Sequence, residues 1–238
     1  MSDTPACLYI AATPIGNLED LTLRTIRVLG ERDLVVCEDT RRTLALLNHL
    51  GFKKELESCH AHTPQSKIER LAGRIAGSGS QAVFVTDGGT PGISDPGAAL
   101  VRACRSLGIQ VIPLPGPSAL AAALSVSGAP SNNVVFAGFL PLKPGKRRKA
   151  LAGVLEHHPT VVCYESPWRI RALLADIAAV CPGAHVLIAR EMTKVHEEYI
   201  EWKAEGEPPE ITQKGECTVV VHAMGPADTM TQEDQNVE

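Results

Sequence analysis

Aromatic residues are scarce in this chain of 238 residues, at 4% of the composition, so its core must be built from Ala, Val, Ile and Leu. An excess of positive charge is also lacking, because the formal net charge is −4 at pH 7. This balance is not that of a protein that binds nucleic acid over its whole surface, and such a role requires a local basic patch. The length allows one large domain or two small ones.

Cysteine pairs and metal-ligand spacings are missing as well. The seven cysteines are scattered and never in CxxC spacing, which favours reduced, buried thiols over disulfides or a metal site. His60 and His62 flank one position but have no further ligand nearby, so we expect no metal. The N-terminus lacks the basic and apolar regions of a signal peptide, and no apolar stretch reaches the length of a membrane span. We therefore expect a cytoplasmic protein without membrane contact.

Two signatures of nucleotide binding are also absent. No GxxxxGK[ST] loop occurs, and the first strand is followed by "TPIGN", which has a single glycine where a dinucleotide-binding fingerprint has GxGxxG. Glu38 and Asp39 end the second strand, where a dinucleotide-binding protein holds a ribose, but without the glycines that match is weak.

The chain is rich in short apolar strands that alternate with amphipathic helices. This pattern is typical of α/β proteins with largely parallel strand pairing. It predicts a helix that Asn17 caps and that Gly30 ends, and a third helix that opens with a Ser66 and Glu69 capping box. Asp95 is the expected N-cap of a helix that follows.

The stretch "PLPGPS" at 113–118 is the best candidate for a hinge between two α/β units. The predicted organisation is an N-terminal α/β domain over 1–114 and a C-terminal α/β domain over 115–224. The polar tail over 225–238 is expected to be disordered.

Three junctions between a strand and a helix concentrate glycine, proline and serine: "TDGGTPGISDPG" (86–97), "LPGPSA" (114–119) and "YESPWR" (164–169). Ligands of α/β sheets bind outside the carboxyl ends of strands, where glycine lets the backbone approach them and helix N-termini offer free N–H groups. Such loops suit a compact polar ligand with an anionic end, such as a nucleotide or an amino-acid carboxylate. Helix caps and tight turns without a ligand are the alternative. The 86–97 loop favours a ligand because it has more glycine than a turn requires.

Positive charge is concentrated at two places. "CEDTRRT" (37–43) sets Arg41 and Arg42 at a helix start, where either a ligand or a simple N-cap with solvated arginines explains them. Five further positive charges lie between Lys143 and Lys149, in a first helical turn, where they oppose the helix dipole. That conflict favours contact with phosphates over a solvated helix start.

Six strings carry a resemblance to a known family: "LYIAATPIGNLEDLTLRTIRVL" (8–29), "CEDTRRTLALLNHLG" (37–51), "TDGGTPGISDPG" (86–97), "PLPGPSALAAALS" (113–125), "GFLP" (138–141) and "YESPWRI" (164–170). They look like the class III, tetrapyrrole-methylase-like methyltransferases that use S-adenosyl-L-methionine, and within them the members that modify ribosomal RNA. The resemblance runs from Leu8 to about Val221. It implies a homodimer whose subunits have two αβα domains with a cofactor cleft between them. It also implies 2′-O-methylation of a cytidine ribose in 16S rRNA of the small ribosomal subunit.

The resemblance also implies a set of site residues. The residues expected to bind S-adenosyl-L-methionine are Pro14, Gly16, Asp87, Gly88, Gly89, Thr90, Ile93, Asp95, Pro117, Ser118, Ala119, Tyr164 and Ala189. The residues expected to hold RNA phosphates are Arg41, Arg42, Lys146, Arg147 and Arg148. A ribose hydroxyl is a weak nucleophile that a nearby base helps, and the sequence does not choose between the candidate catalytic bases Glu38, Asp39, Glu165 and Glu191.

Two other functions stay open at this point. The same fold family includes methylases of small molecules such as tetrapyrroles, and a fold of this kind can also survive as a non-catalytic RNA-binding protein. The basic run at 143–149 favours RNA over a tetrapyrrole. Binding of the methyl donor separates an enzyme from a protein that only binds RNA.

Overall fold

The computed structural model describes residues 5–77 and 81–224. Strands and helices alternate along these ranges, and the chain divides into two α/β units between Ser118 and Ala119. The domain boundary predicted after residue 114 coincides with the last residue of a strand in the first unit. The predicted disordered tail at 225–238 lies outside the described residues.

The first unit is built from alternating strands and helices with these bounds: β1 Cys7–Ala11, α1 Leu23–Glu31, β2 Leu34–Cys37, α2 Thr40–His49, β3 Glu55–Ser58, α3 Gln65–Gly77, β4 Gln81–Val85, α4 Gly97–Ser106 and β5 Gln110–Leu114. Within the described ranges the strands form a five-stranded sheet in the order β3-β2-β4-β1-β5, and its pairs are parallel. The carboxyl ends of these strands therefore lie along one edge, where the loops that follow them meet.

Side chains of this first sheet alternate between two cores, as the pleat requires. From β4, Ala82 and Phe84 join one core with residues of α3 and α4, whereas Val83 and Val85 join another with residues of α1 and α2. The sheet is thus covered by helices on both faces. Phe84 is completely buried, and truncating such a side chain typically costs about 3–5 kcal/mol.

The second unit contains the remaining elements: α5 Ala119–Val126, β6 Val134–Phe139, α6 Pro144–Leu155, β7 Thr160–Glu165, α7 Ile170–Val180, β8 His185–Arg190, β9 Glu198–Lys203 and β10 Cys217–His222. Its sheet has the order β6-β7-β10-β8-β9. One core packs α6 and α7 against the sheet, and α5 contacts β7 and β10.

The expectation of largely parallel pairing is correct for the first sheet and wrong for the second. Only β6 and β7 pair in parallel in the described part of the second sheet, while β10 runs antiparallel to both β7 and β8, and β9 runs antiparallel to β8. No helix separates β8, β9 and β10 in this part of the chain. A parallel pair needs a long crossover, usually a helix, so these last strands pair antiparallel.

Two local predictions also need correction. The helix predicted from Asn17 is split, because Asn17 accepts a hydrogen bond from the backbone of Glu19 and caps only a short 3-10 turn. Thr22 then caps α1 through the backbone N–H of Thr25, and the helix continues past Gly30. The sequence pattern did not reveal β3, since "ELES" at the sheet edge carries none of the apolar alternation of an inner strand.

Both expected side-chain caps at α3 and α4 are also wrong. Helix α3 begins at Gln65, before Ser66, and the Glu69 carboxylate accepts a hydrogen bond from the Gln65 amide at 3.0 Å. At α4 the N-cap is Pro96, which has no side-chain capping bond. The Asp95 side chain therefore does not cap α4.

Candidate functional site

The glycine loop that joins β4 to α4, residues 86–97, has an unusual backbone. Gly89 has φ of 83° and Gly92 has φ of 88°, values that favour glycine, and Ser94 also lies in the left-handed region at 64°. Gly97 serves packing instead, because a Cβ there would come within 2.6 Å of the Phe84 ring. The unusual conformations thus lie in the middle of the loop and not at its junction with the helix.

Three loops of the first unit meet at the carboxyl edge of its sheet. Gly89 and Thr13 exchange backbone hydrogen bonds, and the Thr90 hydroxyl donates to the carbonyl of Pro117 at 2.9 Å. A Cβ on Gly88 would lie 3.1 Å from the carbonyl oxygen of Pro14. Residues in the segments 14–16, 87–90 and 117 were predicted to bind the cofactor, and these contacts bring the three segments together. Thr13 is not among the predicted residues, although it stands directly before Pro14 in the "TPIGN" string.

Carboxylates gather at the same edge. Asp87 accepts a hydrogen bond from the backbone N–H of Asp39 at 3.2 Å and forms an ion pair with Arg42 at 3.6 Å. Burial, followed by the charge of Asp87, raises the pKa of Glu38. Burial and the charge of Glu38 raise the pKa of Asp95 to about 6. We call Glu38, Asp87 and Asp95 the acidic edge; it is suited to a ligand that carries positive charge.

Asp39, next to this edge, is committed to local structure. Its carboxylate caps α2 by accepting from the backbone N–H of Arg41 at 2.8 Å, and it also binds the Arg41 guanidinium at 2.7 Å. These hydrogen bonds hold the pKa of Asp39 below its usual range, so it is a weak base. The Arg41 side chain is 90% exposed beyond this contact.

In the second unit, Glu165 is buried at the end of β7. Its carboxylate accepts from the backbone N–H of Ser166 at 2.7 Å and forms an ion pair with Arg169 at 3.1 Å. The same guanidinium donates to the carbonyl of Leu140 at 3.1 Å. Glu165 thus positions Arg169, which ties the loop after β6 to the start of α7.

Glu191, another candidate base, organises the loop after β8. Its carboxylate accepts from Lys194 at 2.7 Å and from the backbone N–H of Glu216 at 3.0 Å, while its own φ is 51°. A Cβ on Gly215 would collide with this carboxyl group, so glycine is required there. The hydrogen bond from Lys194 is the main cause that lowers the pKa of Glu191.

The predicted cofactor set has three second-unit residues: Ala119 begins α5, and Tyr164 and Ala189 lie in strands. The Tyr164 ring makes edge contacts with Phe136 and Phe139, at centroid distances of 4.9 and 5.8 Å. Ala189 is buried within β8, between β9 and β10. The structure therefore does not bring all the predicted cofactor residues into one cluster within a single unit.

The basic run at 143–149 lies at the start of α6 but does not act as one surface. Lys143, Lys146 and Lys149 are exposed. Arg147 is 2% exposed, and its guanidinium donates to Asp176 at 2.7 Å and to the carbonyl of Ala172 on α7. Burial thus removes Arg147 from any surface that meets phosphate. Arg148 remains half-exposed while it contacts the same Asp176 at 3.2 Å.

Neither a metal cluster nor a membrane span is found in the described ranges. No group of three or more His, Cys, Asp or Glu side chains among those residues is placed to hold a metal ion. Among the helices described above, none is both long and apolar enough to cross a bilayer.

Comparison with known proteins defines the class. A family model described as tetrapyrrole (corrin/porphyrin) methylases matches residues 7–206. A crystal structure of uroporphyrin-III C-methyl transferase from Thermus thermophilus, complexed with S-adenyl homocysteine, is 20% identical with a TM-score of 0.59. The alignment covers 91% of this chain and 97% of that chain. At this identity the likeness concerns the fold alone, and it confirms the predicted class III architecture of two α/β domains.

Two relatives of higher identity define the group within that class. The protein named ribosomal RNA small subunit methyltransferase I from Coprothermobacter proteolyticus is 44% identical over 218 residues, which cover 90% of this chain and 97% of the relative. The protein of the same name from Xylella fastidiosa is 42% identical over 231 residues, covering 94% and 84%. The chain therefore belongs to the tetrapyrrole methylase family and, within it, to the ribosomal RNA small subunit methyltransferase I group. The resemblance seen in the sequence is confirmed, and the chain is a methyltransferase.

Proposed function

We propose that this chain transfers a methyl group from S-adenosyl-L-methionine to the 2′-oxygen of a cytidine ribose in 16S rRNA of the small ribosomal subunit. The observation that carries the proposal is the 44% identity that spans 97% of a relative named for methylation of small-subunit rRNA. The likeness to a uroporphyrin-III enzyme is one of fold alone. It therefore does not favour a tetrapyrrole substrate.

The residues at the carboxyl edge of the first sheet fit the methyl donor. Gly88 and Gly89 leave the backbone of the loop without side chains, and a Cβ on Gly88 would crowd Pro14. The acidic edge supplies negative charge for a ligand with a cationic sulfonium and a cationic amino group. We assign donor binding to the predicted residues of the first unit: Pro14, Gly16, Asp87, Gly88, Gly89, Thr90, Ile93, Asp95, Pro117 and Ser118. When bound, the donor supplies a methyl group that its sulfonium charge already makes electrophilic.

The protein then has to orient the ribose hydroxyl, exclude water and accept a proton. Among the four candidate bases, Asp39, Glu165 and Glu191 each contact a cationic side chain of a neighbouring Arg or Lys. Glu38 differs, because burial raises its pKa and it lies in the acidic edge. We therefore assign the proton acceptor to Glu38, and give Glu165 a positioning role.

RNA phosphates are assigned to exposed cations at the starts of α2 and α6. Arg41 and Arg42 extend from the first turn of α2, and Lys146 and Arg148 from the start of α6. Helix α6 begins without a side-chain capping bond, so its first-turn N–H groups add to the attraction for phosphate. Arg147 is left out because its buried ion pair with Asp176 occupies it.

A homodimer and a cytoplasmic location belong to the same proposal. Both are implied by the resemblance to rRNA-modifying members of the family, whose substrate is found in the cytoplasm. Sedimentation of the purified chain tests the dimer, and a monomer at all concentrations contradicts it.

The decisive experiment maps ribose methylation by mass in rRNA from cells that lack the protein, with and without complementation. We expect one cytidine of 16S rRNA to lose its 2′-O-methyl group and to regain it on complementation. A Glu38→Gln protein that still binds the donor should fail to restore the group. Unchanged methylation in the deletion strain refutes the proposal. Absence of S-adenosyl-L-methionine binding in isothermal titration at millimolar donor leaves only a non-catalytic RNA-binding protein.

A further inference from the structure

Large apolar side chains are exposed at one end of the second sheet. Phe139 is 62% exposed, Leu142 is 72% exposed and Trp168 is 72% exposed. The chain has few aromatic residues, at 4%, so two of them in solvent at one place is a notable concentration. Exposed apolar groups that lie together mark interaction surfaces.

The topology brings Phe139 and Trp168 to the same end. Strands β6 and β7 are parallel, and Phe139 pairs in register with Tyr164 at their carboxyl ends. The Arg169 guanidinium then binds the carbonyl of Leu140, which joins the residue after Trp168 to the residue after Phe139. The ion pair of Arg169 with the buried carboxylate of Glu165 holds this connection in place.

Exposed cations lie at the same end of the unit. The Arg147 guanidinium donates to the carbonyl of Ala172, which holds the start of α6 against the first turn of α7. Lys143, Lys146 and Lys149 extend from that part of the chain and are exposed. Aromatic faces beside a basic surface are the combination that binds single-stranded nucleic acid, because bases stack on the rings while cations meet the phosphates. Lysine is depleted in interfaces between proteins, so the lysines argue against a second copy as the occupant.

We propose that Phe139 and Trp168 form a platform on which unpaired bases of the substrate RNA stack, next to phosphates held by the exposed lysines of α6. The proposal rests on the proposed function, since it takes RNA as the substrate. It deepens that function by requiring that the RNA be single-stranded where it meets the second unit. The platform binds bases of the substrate RNA and takes no part in the chemical step.

Trp168 is itself the reporter for the first test. The chain has two tryptophans, and Trp202 packs partly buried against the core. Its indole nitrogen has no hydrogen-bond partner among the described residues, so Trp202→Phe removes the second fluorophore without breaking a bond. In this variant we expect a short oligocytidine ribonucleotide to quench the fluorescence of Trp168. Inorganic polyphosphate, which offers charge but no bases, should leave it unquenched.

Affinity measurements supply the second test. Trp168→Ala and Phe139→Ala should each weaken binding of the oligocytidine by about 5- to 100-fold, the range expected when an aromatic side chain that stacks on one base is replaced by alanine. Trp168→Phe should retain most of the affinity, whereas Trp168→Leu, apolar but without an aromatic face, should not. None of these changes should alter the salt dependence. Lys146→Ala with Lys149→Ala should instead reduce the salt slope.

Several results overturn the platform. Unchanged affinity of Trp168→Ala for the oligocytidine overturns the platform, and so does equal quenching by polyphosphate and oligocytidine. In either case the proposed function stands if the wild-type protein methylates rRNA. Quenching by S-adenosylhomocysteine alone assigns the surface to the cofactor. A change of oligomeric state in Trp168→Ala assigns it to a second copy of the chain. A wild-type protein that binds no RNA overturns both the platform and the proposed function.

Discussion

Gly89 and Thr13 are joined by two backbone hydrogen bonds, of 2.8 Å from the Gly89 N–H and 3.0 Å from the Thr13 N–H. This short antiparallel bridge attaches the glycine loop to the end of β1, in the inner part of the first sheet's carboxyl edge. It requires Gly89 to adopt φ of 83°, which side chains other than glycine rarely adopt. The bridge therefore gives the loop a defined backbone on which a ligand can rest.

Gly89→Val should weaken binding of S-adenosyl-L-methionine by at least about tenfold. A branched side chain is strained at this φ, and its Cβ would lie 3.4 Å from Ile15 where the two loops meet. Gly51→Val is the matched control, since Gly51 has φ of 75° and nothing within 4 Å of its Cβ position. Isothermal titration should show normal affinity for the control. Equal affinities in the two folded variants contradict the assignment of the loop to the donor.

The apolar strands and helices can be predicted well from the sequence, whereas polar edge strands and buried polar side chains cannot. Strands β5, β6 and β7 follow the predicted alternation of short apolar strands with helices, because each is an apolar run between turn residues. Strand β3 is missed because its "ELES" residues lie at a polar sheet edge. The glycine loop could be recognised as unusual, but its bridge to Thr13 depends on the parallel register of β1 and β4.

Charge runs mislead for a related reason. Arg147 stands among five cations, and their order along the chain assigns all of them to solvent or phosphate. On a helix, however, Arg147 shares a face with the buried Leu151, four residues later. The partner of Arg147, Asp176, lies 29 residues away on α7, and nothing in the local sequence identifies it. Tertiary contacts thus decide which cation of a run is structural.

Asp95→Asn should stabilise the protein at neutral pH. The folded pKa of about 6 exceeds the ordinary value of 3.8, so the folded state binds this proton more tightly than the unfolded state does. Stability from this group is therefore present below pH 3.8 and is lost as the pH rises to about 6. Allowing for the partial exposure of Asp95, the variant should gain on the order of 1 kcal/mol in the free energy of unfolding at neutral pH.

Urea unfolding at neutral pH and at about pH 4 checks this expectation, and the gain should vanish at the lower pH. Glu210→Gln, at an exposed carboxylate of the second unit, is the control and should show no such dependence. An Asp95→Asn protein that is less stable at neutral pH contradicts the burial argument.

Donor binding should respond to pH in the opposite direction. Protonation of Asp95 removes one negative charge from the acidic edge, and a cationic ligand binds an ionised carboxylate better. The affinity for S-adenosyl-L-methionine should therefore rise as the pH increases from about 5 to 7, through the pKa of about 6. Asp95→Asn should flatten this profile and weaken binding at neutral pH. A flat wild-type profile in isothermal titration would place the donor away from Asp95.

Substitutions in the basic run should affect either stability or RNA binding, depending on whether the side chain is buried or exposed. Among the described residues, Arg147→Ala leaves half-exposed Arg148 as the one cation that contacts the buried Asp176, so the free energy of unfolding should fall by about 3 kcal/mol. Lys146→Ala with Lys149→Ala should change stability by less than about 0.5 kcal/mol, because both side chains are exposed. The same double variant should weaken RNA binding and lower the log–log salt slope by about one unit for each phosphate that it no longer binds.

The control for that double variant must remove the same charge elsewhere. Lys53→Ala with Lys203→Ala does so, since both are exposed lysines far from α6 in sequence. In a chain of net charge −4, the removal of any two cations reduces long-range attraction for RNA, and the control measures that share. Equal salt slopes in the two double variants make the cluster a solvated helix start that binds no phosphate. We expect the salt slope to fall more in the Lys146 and Lys149 variant than in the control, and Arg147→Ala to unfold at a lower urea concentration than the wild-type protein. These two results together would show that Arg147 is structural and that the exposed lysines of the basic run contact RNA.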